Sequence, residues 1–89
     1  MRIWCKLFQN NHLLQDVVIE NNDPSMTRTR KVYAALEEAS YQLNLEKPFW
    51  LDKNKREFLR HARTRFTQDN FIESIGYDYL DFQVIEEDP

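Results

Sequence analysis

Two short runs of β-branched and aromatic residues near the N-terminus constrain this chain more than any other feature. They are Arg2–Phe8 (RIWCKLF) and Leu13–Glu20 (LLQDVVIE), and QNNH lies between them. Asparagine tolerates the positive φ angles that a two-residue turn demands. Asn10 and Asn11 therefore predict a β-hairpin in which Gln9 pairs with the residue after the turn.

The turn fixes the register of the hairpin and therefore which side chains share a face. Pairing outward without interruption places Cys5 opposite Asp16. One face then carries Ile3, Cys5, Leu7, Leu14, Asp16 and Val18. The other face carries Trp4, Lys6, Phe8, Leu13, Gln15, Val17 and Ile19. Two largely apolar faces are unusual for an antiparallel hairpin with one side in water. The pattern favours helices on both sides of the sheet, or one face docked on another protein or a second copy.

Helical periodicity follows the hairpin. Apolar residues recur on one stripe and predict a helix from about Thr27 to Leu43. Asp23 suits the N-cap of this helix and Pro24 suits its first position. After the helix, Pro48 interrupts helical geometry, and the aromatic run that follows it is expected to plug one end of the core.

The second half of the chain predicts a shorter helix, a helical turn and a third strand. The helix runs from about Lys55 to Thr64, because Asn54 begins the N-x-x-E spacing of a capping box. Residues 70–76 (NFIESIG) are typical of a helical turn closed by Gly76, the only glycine. Alternation in residues 77–85 (YDYLDFQVI) predicts a strand, and residues 85–89 are expected to form a frayed acidic tail.

These elements occur in the order ββααβ. They predict one small α+β domain over residues 1–89, with a three-stranded, mainly antiparallel sheet and two main helices. The chain is 42% hydrophobic and 13% aromatic, which is rich enough to build a core at this length. Either edge of the hairpin could accept the third strand.

The charge is unevenly distributed along the chain. Residues 53–65 contain six bases and one acid, whereas residues 69–89 contain seven acids and no base. A helix with bases on one face neutralises phosphates, which makes nucleic acid one candidate partner. The contact residues would then be Arg56, Arg60, Arg63 and Arg65. We favour instead that these bases neutralise the C-terminal acids when the chain folds, in agreement with a net charge of −3. A further alternative is that the acidic C-terminal strand imitates nucleic acid and occupies a basic groove on a partner.

No catalytic or metal-binding constellation is recognisable. One glycine cannot build a phosphate cradle, and one cysteine with two distant histidines does not supply a zinc site. Cys5 and His12 form the only conceivable nucleophile and base, but the hairpin register separates them. We therefore expect no enzymatic activity, no cofactor and no metal.

The single Cys5 excludes an intramolecular disulfide, which is typical of a reducing compartment. No signal peptide is recognisable, and no apolar run approaches the ~18 residues of a membrane span. We expect a cytoplasmic protein without a membrane partner.

Several stretches carry a resemblance to known proteins. They are MRIWCKLF and VIENND near the start, and WLDKN, TRFTQDNFIESI and DYLDFQVIEED towards the end. In these the chain resembles a family of short bacterial hypothetical proteins of uncharacterised function. The resemblance covers nearly the full length and implies a free-standing cytoplasmic protein. It implies no ligand and no site residue.

The leading functional hypothesis is a non-catalytic protein-interaction or regulatory module. Self-association through the sheet would bury the second apolar face of the hairpin. The expected contact residues are the large aromatics of the hairpin and of the linker between the helices: Trp4, Phe8, Phe49 and Trp50.

Overall fold

The computed structural model describes residues 1–89 as a four-stranded antiparallel sheet with two helices packed on one face. In chain order the elements are β1 (Arg2–Gln9), β2 (His12–Glu20), α1 (Arg28–Gln42), α2 (Asp52–His61), β3 (Arg63–Phe66), a 3-10 turn (Gln68–Asn70) and β4 (Tyr79–Glu86). The strands lie in the order β2-β1-β4-β3. The α+β class is confirmed. The expected three strands and ββααβ order are wrong, because a fourth strand, β3, directly follows α2.

The predicted hairpin turn is confirmed. Asn10 and Asn11 have φ angles of 52° and 64°, and Gln9 pairs with His12. The ladder then meets a β-bulge, because Leu14 lacks a partner on β1.

This bulge reverses the faces expected for the rest of β2. One extra residue in a strand moves every later side chain to the opposite face. Cys5 consequently pairs with Val17, and Lys6 pairs with Asp16, so the expected pairing of Cys5 with Asp16 is wrong. Val17 and Ile19 instead join Cys5 on the core side.

Helix α1 agrees with the predicted helix to within one residue at each end. Its N-cap differs from the expectation, since Thr27 Oγ1 accepts a hydrogen bond from the Arg30 amide at 3.2 Å. The Asp23 carboxylate instead accepts bonds from the Ser25 amide and hydroxyl within the preceding loop. The start predicted at Asp23-Pro24 is therefore wrong.

Helix α2 begins and ends three residues earlier than predicted. Its C-cap, Ala62, adopts a left-handed conformation with a φ of 53°. This conformation turns the chain directly into β3, so Arg63 and Arg65 belong to a strand and not to a helical stripe. Strand alternation buries Thr64 and Phe66 and points the two arginines away from the core.

The core lies between the helices and one face of the sheet. Its buried apolar members come from both helices and from every strand: Met1, Ile3, Cys5, Leu7, Ile19, Val32, Ala35, Leu36, Ala39, Leu43, Phe58, Phe66, Phe71, Leu80 and Phe82. Trp50 packs edge-on against three of their rings, with centroid distances of 5.5 Å to Phe58, 5.1 Å to Phe66 and 5.9 Å to Phe82. Trp50 therefore plugs the core, as the sequence predicted for the aromatic run, whereas the neighbouring Phe49 and Leu51 are 48% and 36% exposed and do not.

Two fully buried asparagines hold the second half of the chain together. Asn54 is inside α2 and is not its N-cap; its Oδ1 accepts bonds from the Leu51 amide at 3.1 Å and from Asn70 Nδ2 at 2.7 Å. Its Nδ2 donates to Thr64 Oγ1 at 2.9 Å and to the Arg65 carbonyl at 3.0 Å. One amide thus ties the start of α2 to strand β3.

Asn70 extends this network to the linker between the helices. Its Oδ1 accepts from the Thr67 amide at 3.0 Å, and its Nδ2 also donates to the Phe49 carbonyl at 2.6 Å. The short helical segment is the 3-10 turn Gln68–Asn70, and residues 71–78 contain no helix. Gly76 has no positive φ, so the predicted turn closed by this glycine is wrong.

The C-terminal segment is held in place. Strand β4 continues to Glu86, and the Glu87 carboxylate pairs with Arg28 at 2.9 Å. The Asp88 carboxylate bridges the Met1 amino group and Lys31 Nζ, each at 2.8 Å. The expectation of a frayed tail over residues 85–89 is therefore wrong.

Replacing Asn54 by alanine is expected to lower the free energy of unfolding by about 3 kcal/mol, because several buried polar groups lose their partner. The measurement is urea denaturation followed by circular dichroism. Gln42→Ala is the control, since Gln42 is exposed near the end of α1. Equal urea midpoints for both variants would contradict a central role for the asparagine network.

Candidate functional site

The sheet surface opposite the helices, called the open face here, is the main candidate site. Strand pairing arranges its side chains in three rows across the sheet. The first row is Val18, Trp4, Gln83 and Arg63; the second is Asp16, Lys6, Asp81 and Arg65; the third is Leu13, Phe8 and Tyr79. No buried helix residue contributes to this surface, because the helices pack on the opposite face with Ile3, Cys5 and Leu7.

A buried carboxylate lies at the centre of the open face. Asp81 has no solvent exposure although no helix covers it. Arg63 from β3 donates to both of its oxygens, with Nε 3.0 Å from Oδ1, and Lys6 Nζ lies 3.5 Å from Oδ2. The hydrogen bond to Asp81 raises the pKa of the Arg63 guanidinium. Two cations from different strands thus cover the carboxylate from the solvent side.

Aromatic rings flank this ion-pair cluster on both sides. Trp4 donates its indole N–H to Asp16 at 2.9 Å, and Lys6 Nζ lies 4.0 Å from the centre of its ring. In the third row Phe8 stacks on Tyr79 with ring centres 5.2 Å apart. The Arg65 guanidinium carbon lies 4.3 Å from the centre of the Tyr79 ring. The rings are partly exposed and held in defined orientations.

The outer edge of strand β2 is unpaired and carries three exposed apolar side chains among polar ones. β2 is nine residues long and is the last strand of the sheet on its side. Leu13, Leu14 and Val18 are 48%, 49% and 39% exposed. Lysine and proline, which commonly protect exposed edges, are absent from β2. This edge therefore offers free backbone groups beside apolar side chains.

The opposite edge of the molecule is strongly basic. A surface called the basic patch here comprises Lys53, Arg56, Arg60 and His61 on α2 and Arg65 on β3. Two adjacent depressions of about 220 and 300 Å³ run along it, and no hydrophobic residue lines either one. The single acid between them, Glu57, accepts a hydrogen bond from Thr64 Oγ1 at 2.8 Å.

The structure divides the four aromatic contact residues predicted from sequence. Trp4 and Phe8 lie on the open face, whereas Phe49 and Trp50 lie in the linker on the helix side of the sheet. Phe49 is 48% exposed, and Trp50 lines an apolar groove of about 200 Å³ between α1 and α2. The four residues therefore do not form one surface. Tyr79 joins Phe8 on the open face but was not predicted as a contact residue. The alternation of its strand does not show that Phe8 and Arg65 would lie against its ring.

The structure also divides the four arginines predicted to contact nucleic acid. Arg56 and Arg60 lie on α2, while Arg63 and Arg65 point from β3 towards the open face. Arg63 is bound to Asp81, as expected if the bases neutralise the C-terminal acids. Arg56, Arg60 and Arg65 form no ion pair, so that expectation holds for one arginine only.

The carboxylates of the C-terminal strand are largely engaged inside the molecule. Asp81 binds Arg63 and Lys6, and Glu87 binds Arg28. The hydrogen bond to Arg28 holds the pKa of the Glu87 carboxyl below its usual range. A nucleic-acid mimic needs free surface acids, so these ion pairs oppose the third functional alternative.

Cys5 lies beneath the centre of the sheet with no solvent exposure, and His12 is exposed beside the hairpin turn. Burial, reinforced by the Asp81 charge, raises the pKa of the Cys5 thiol to about 12. No three histidine, cysteine, aspartate or glutamate side chains converge as a metal ion would require. No helix combines the length and apolar character needed to cross a membrane.

Comparison with protein-family models, curated proteins and solved structures finds no match to this chain.

Replacing Asp81 by asparagine is expected to lower the free energy of unfolding by about 2 kcal/mol, because Lys6 and Arg63 would face a neutral amide. The cost is below that of a fully buried pair, since the Arg63 side chain is 42% exposed. Glu86→Gln, at the exposed end of the same strand, is the control. Thermal denaturation of both variants tests this, and an unchanged Asp81→Asn melting temperature would contradict it.

The Cys5 thiol is expected to resist thiol reagents in the folded protein. At pH 8 a pKa of about 12 in place of 9.0 leaves about a thousandfold less thiolate than in the unfolded chain. Since the folded-state pKa is raised, the stability from protonated Cys5 is complete below pH 9 and is lost as the pH rises from about 9 towards 12. The measurement is the rate of reaction with a chromogenic disulfide in buffer and in urea. Equal rates would contradict the buried, protonated thiol.

Proposed function

We propose that this chain is a non-catalytic, cytoplasmic protein-interaction module that associates with a second copy of itself through the β2 edge and the open face. The observation that carries the proposal is the unpaired edge of β2, with its exposed apolar side chains, beside a sheet face that no helix covers. Leu13, Leu14 and Val18 are the exposed apolar side chains along this edge.

Backbone geometry supports a second copy as the occupant. Two β2 strands related by a two-fold axis pair antiparallel, so one edge can supply both halves of a symmetric interface. The opposite edge strand, β3, has only four residues and carries Arg63 and Arg65. Arg65 forms no ion pair, and repulsion between two copies of this cation disfavours edge-to-edge contact there, which leaves β2 as the open edge.

The chemistry of the open face also favours a protein surface. Tryptophan, tyrosine and arginine are the residues most enriched at interaction hot spots, and Trp4, Tyr79 and Arg65 lie here. The central charges already have partners, because Asp81 is bound by Lys6 and Arg63. Covering these three groups therefore does not bury an unpaired charge, which would strongly oppose association. Arg65 forms no ion pair and is expected at the solvated rim of the contact.

The apolar groove between α1 and α2 is a weaker site for such an interface. It is about 200 Å³ in volume, and the cations Arg28 and Lys55 lie at its sides. No free strand edge accompanies it. For this reason Phe49 and Trp50 are not part of the proposed contact.

Sedimentation velocity over a range of concentrations tests the proposal. The wild-type chain is expected to shift from monomer to dimer as concentration rises. Val18→Lys places a charge on the β2 edge and is expected to weaken dimerisation at least about tenfold, or about 1.4 kcal/mol. Its free energy of unfolding should change little, because Val18 is 39% exposed.

Tyr41→Lys is the matched control, since it introduces the same charge at a residue of α1 that is 86% exposed. This variant is expected to dimerise like the wild type. A wild-type chain that stays monomeric at every concentration contradicts the proposal, and so does equal weakening by both substitutions.

A further inference from the structure

We propose that the basic patch binds single-stranded nucleic acid, with phosphates along α2 and bases on the neighbouring aromatic rings. The α2 cations lie outside the surface proposed for self-association, whereas Arg65 and the rings beside it lie on the open face. The inference therefore applies to the monomer and does not depend on self-association. The contact cations are Lys53, Arg56 and Arg60 on α2 and Arg65 on β3.

The first argument is that the patch holds unpaired positive charge. Lys53, Arg56, Arg60 and Arg65 form no ion pair. The four bases that do are Lys6, Arg28, Lys31 and Arg63. Glu57 is the only acid lining the two depressions, and its carboxylate accepts a bond from Thr64. The local field is therefore positive although the chain as a whole carries −3.

The ion-paired acids of the C-terminal segment do not cancel this field, because other bases hold them. Besides Glu57, the exposed acid on α2 itself is Asp52 in the first turn. Glu87 and Asp88 are bound to Arg28, Lys31 and the Met1 amino group at the far end of β4. Asp81 is covered by Lys6 and Arg63. Screening in salt confines exposed charges to a range of about 10 Å, so the residues of the patch itself govern what binds there.

The lining of the depressions decides the class of ligand. Neither depression has a hydrophobic residue, whereas the centre of a protein–protein interface is apolar. A phosphate backbone requires only cations and hydrogen-bond donors, and arginine supplies both in a fork that fits phosphate. The patch therefore fits a phosphate chain better than an acidic protein surface.

The neighbouring rings favour a single strand over a duplex. The Arg65 guanidinium lies 4.3 Å over Tyr79, and Tyr79 stacks on Phe8 at 5.2 Å. Arg65 thus joins the basic patch to an aromatic pair on the open face. Single strands expose base faces that stack on such rings, while a duplex hides them.

The structure also changes which arginines take part. The sequence alone predicted Arg56, Arg60, Arg63 and Arg65 as the contact residues. Arg63 is not among the proposed contacts, because it is bound to Asp81. Lys53, which lies beside Arg56 and Arg60, is a proposed contact instead.

Fluorescence anisotropy with a labelled twelve-nucleotide oligothymidylate tests the inference. Four phosphate contacts predict a slope of about −2.8 in a plot of log affinity against log salt concentration. A duplex of equal length is expected to bind at least about tenfold more weakly, since it offers no free base faces. Inorganic polyphosphate and polyglutamate, which carry charge without bases, are expected to compete poorly.

The decisive variant is Arg56→Gln with Arg60→Gln. It should weaken binding to the oligonucleotide and reduce the salt slope to about −1.4, because two contacts are lost. Arg30→Gln with Lys47→Gln is the control, since it removes two exposed, unpaired cations elsewhere and gives the same net charge. The control should bind like the wild type, and both variants should unfold at the wild-type urea midpoint.

Three results would overturn the inference. The first is the absence of binding to the oligonucleotide at low salt. The second is an equal loss of affinity in both double variants, because net charge alone would then explain binding. The third is equal or tighter binding of the duplex, polyphosphate or polyglutamate, which would mean that the patch does not recognise a single strand.

Discussion

The buried carboxylate of Asp81 constrains this fold more than any other single group. A carboxylate without solvent exposure requires charged partners, and here they come from two other strands: Lys6 on β1 and Arg63 on β3. The three strands must therefore be aligned across the sheet for the charge to be tolerated. Because this cluster lies on the face without helices, it supplements the Trp4–Asp16 hydrogen bond and the Phe8–Tyr79 stack in ordering that surface.

The two edges of the sheet differ in chemistry around this centre. Strand β2 presents apolar side chains and free backbone groups, whereas β3 presents cations continuous with those of α2. The asparagine network holds β3 and its cations against α2, since Asn54 binds Thr64 and the Arg65 carbonyl on β3. The proposed self-association and the proposed nucleic-acid binding therefore centre on opposite edges, and they overlap only on the open face at Arg65 and Tyr79.

Local patterns predicted the hairpin turn at Asn10 and Asn11, helix α1 and the C-terminal strand β4. They could not predict the bulge at Leu14, because it changes the register without a glycine or proline to mark it. Strand β3 was missed because four residues are too short for a period, and its partners lie in β4, far along the chain. The end of α2 at Ala62 was not predicted, because alanine disfavours the left-handed conformation that it adopts there and its residue type gives no sign of a helix end. The candidate site depends on these three features.

Hydrogen exchange at several protein concentrations tests the central claim about the β2 edge most directly. Association through β2 predicts that its amides exchange more slowly as concentration rises, while the amides of β3 exchange at constant rates. Exchange of the β2 amides that is independent of concentration, under conditions where β3 behaves in the same way, would contradict the account.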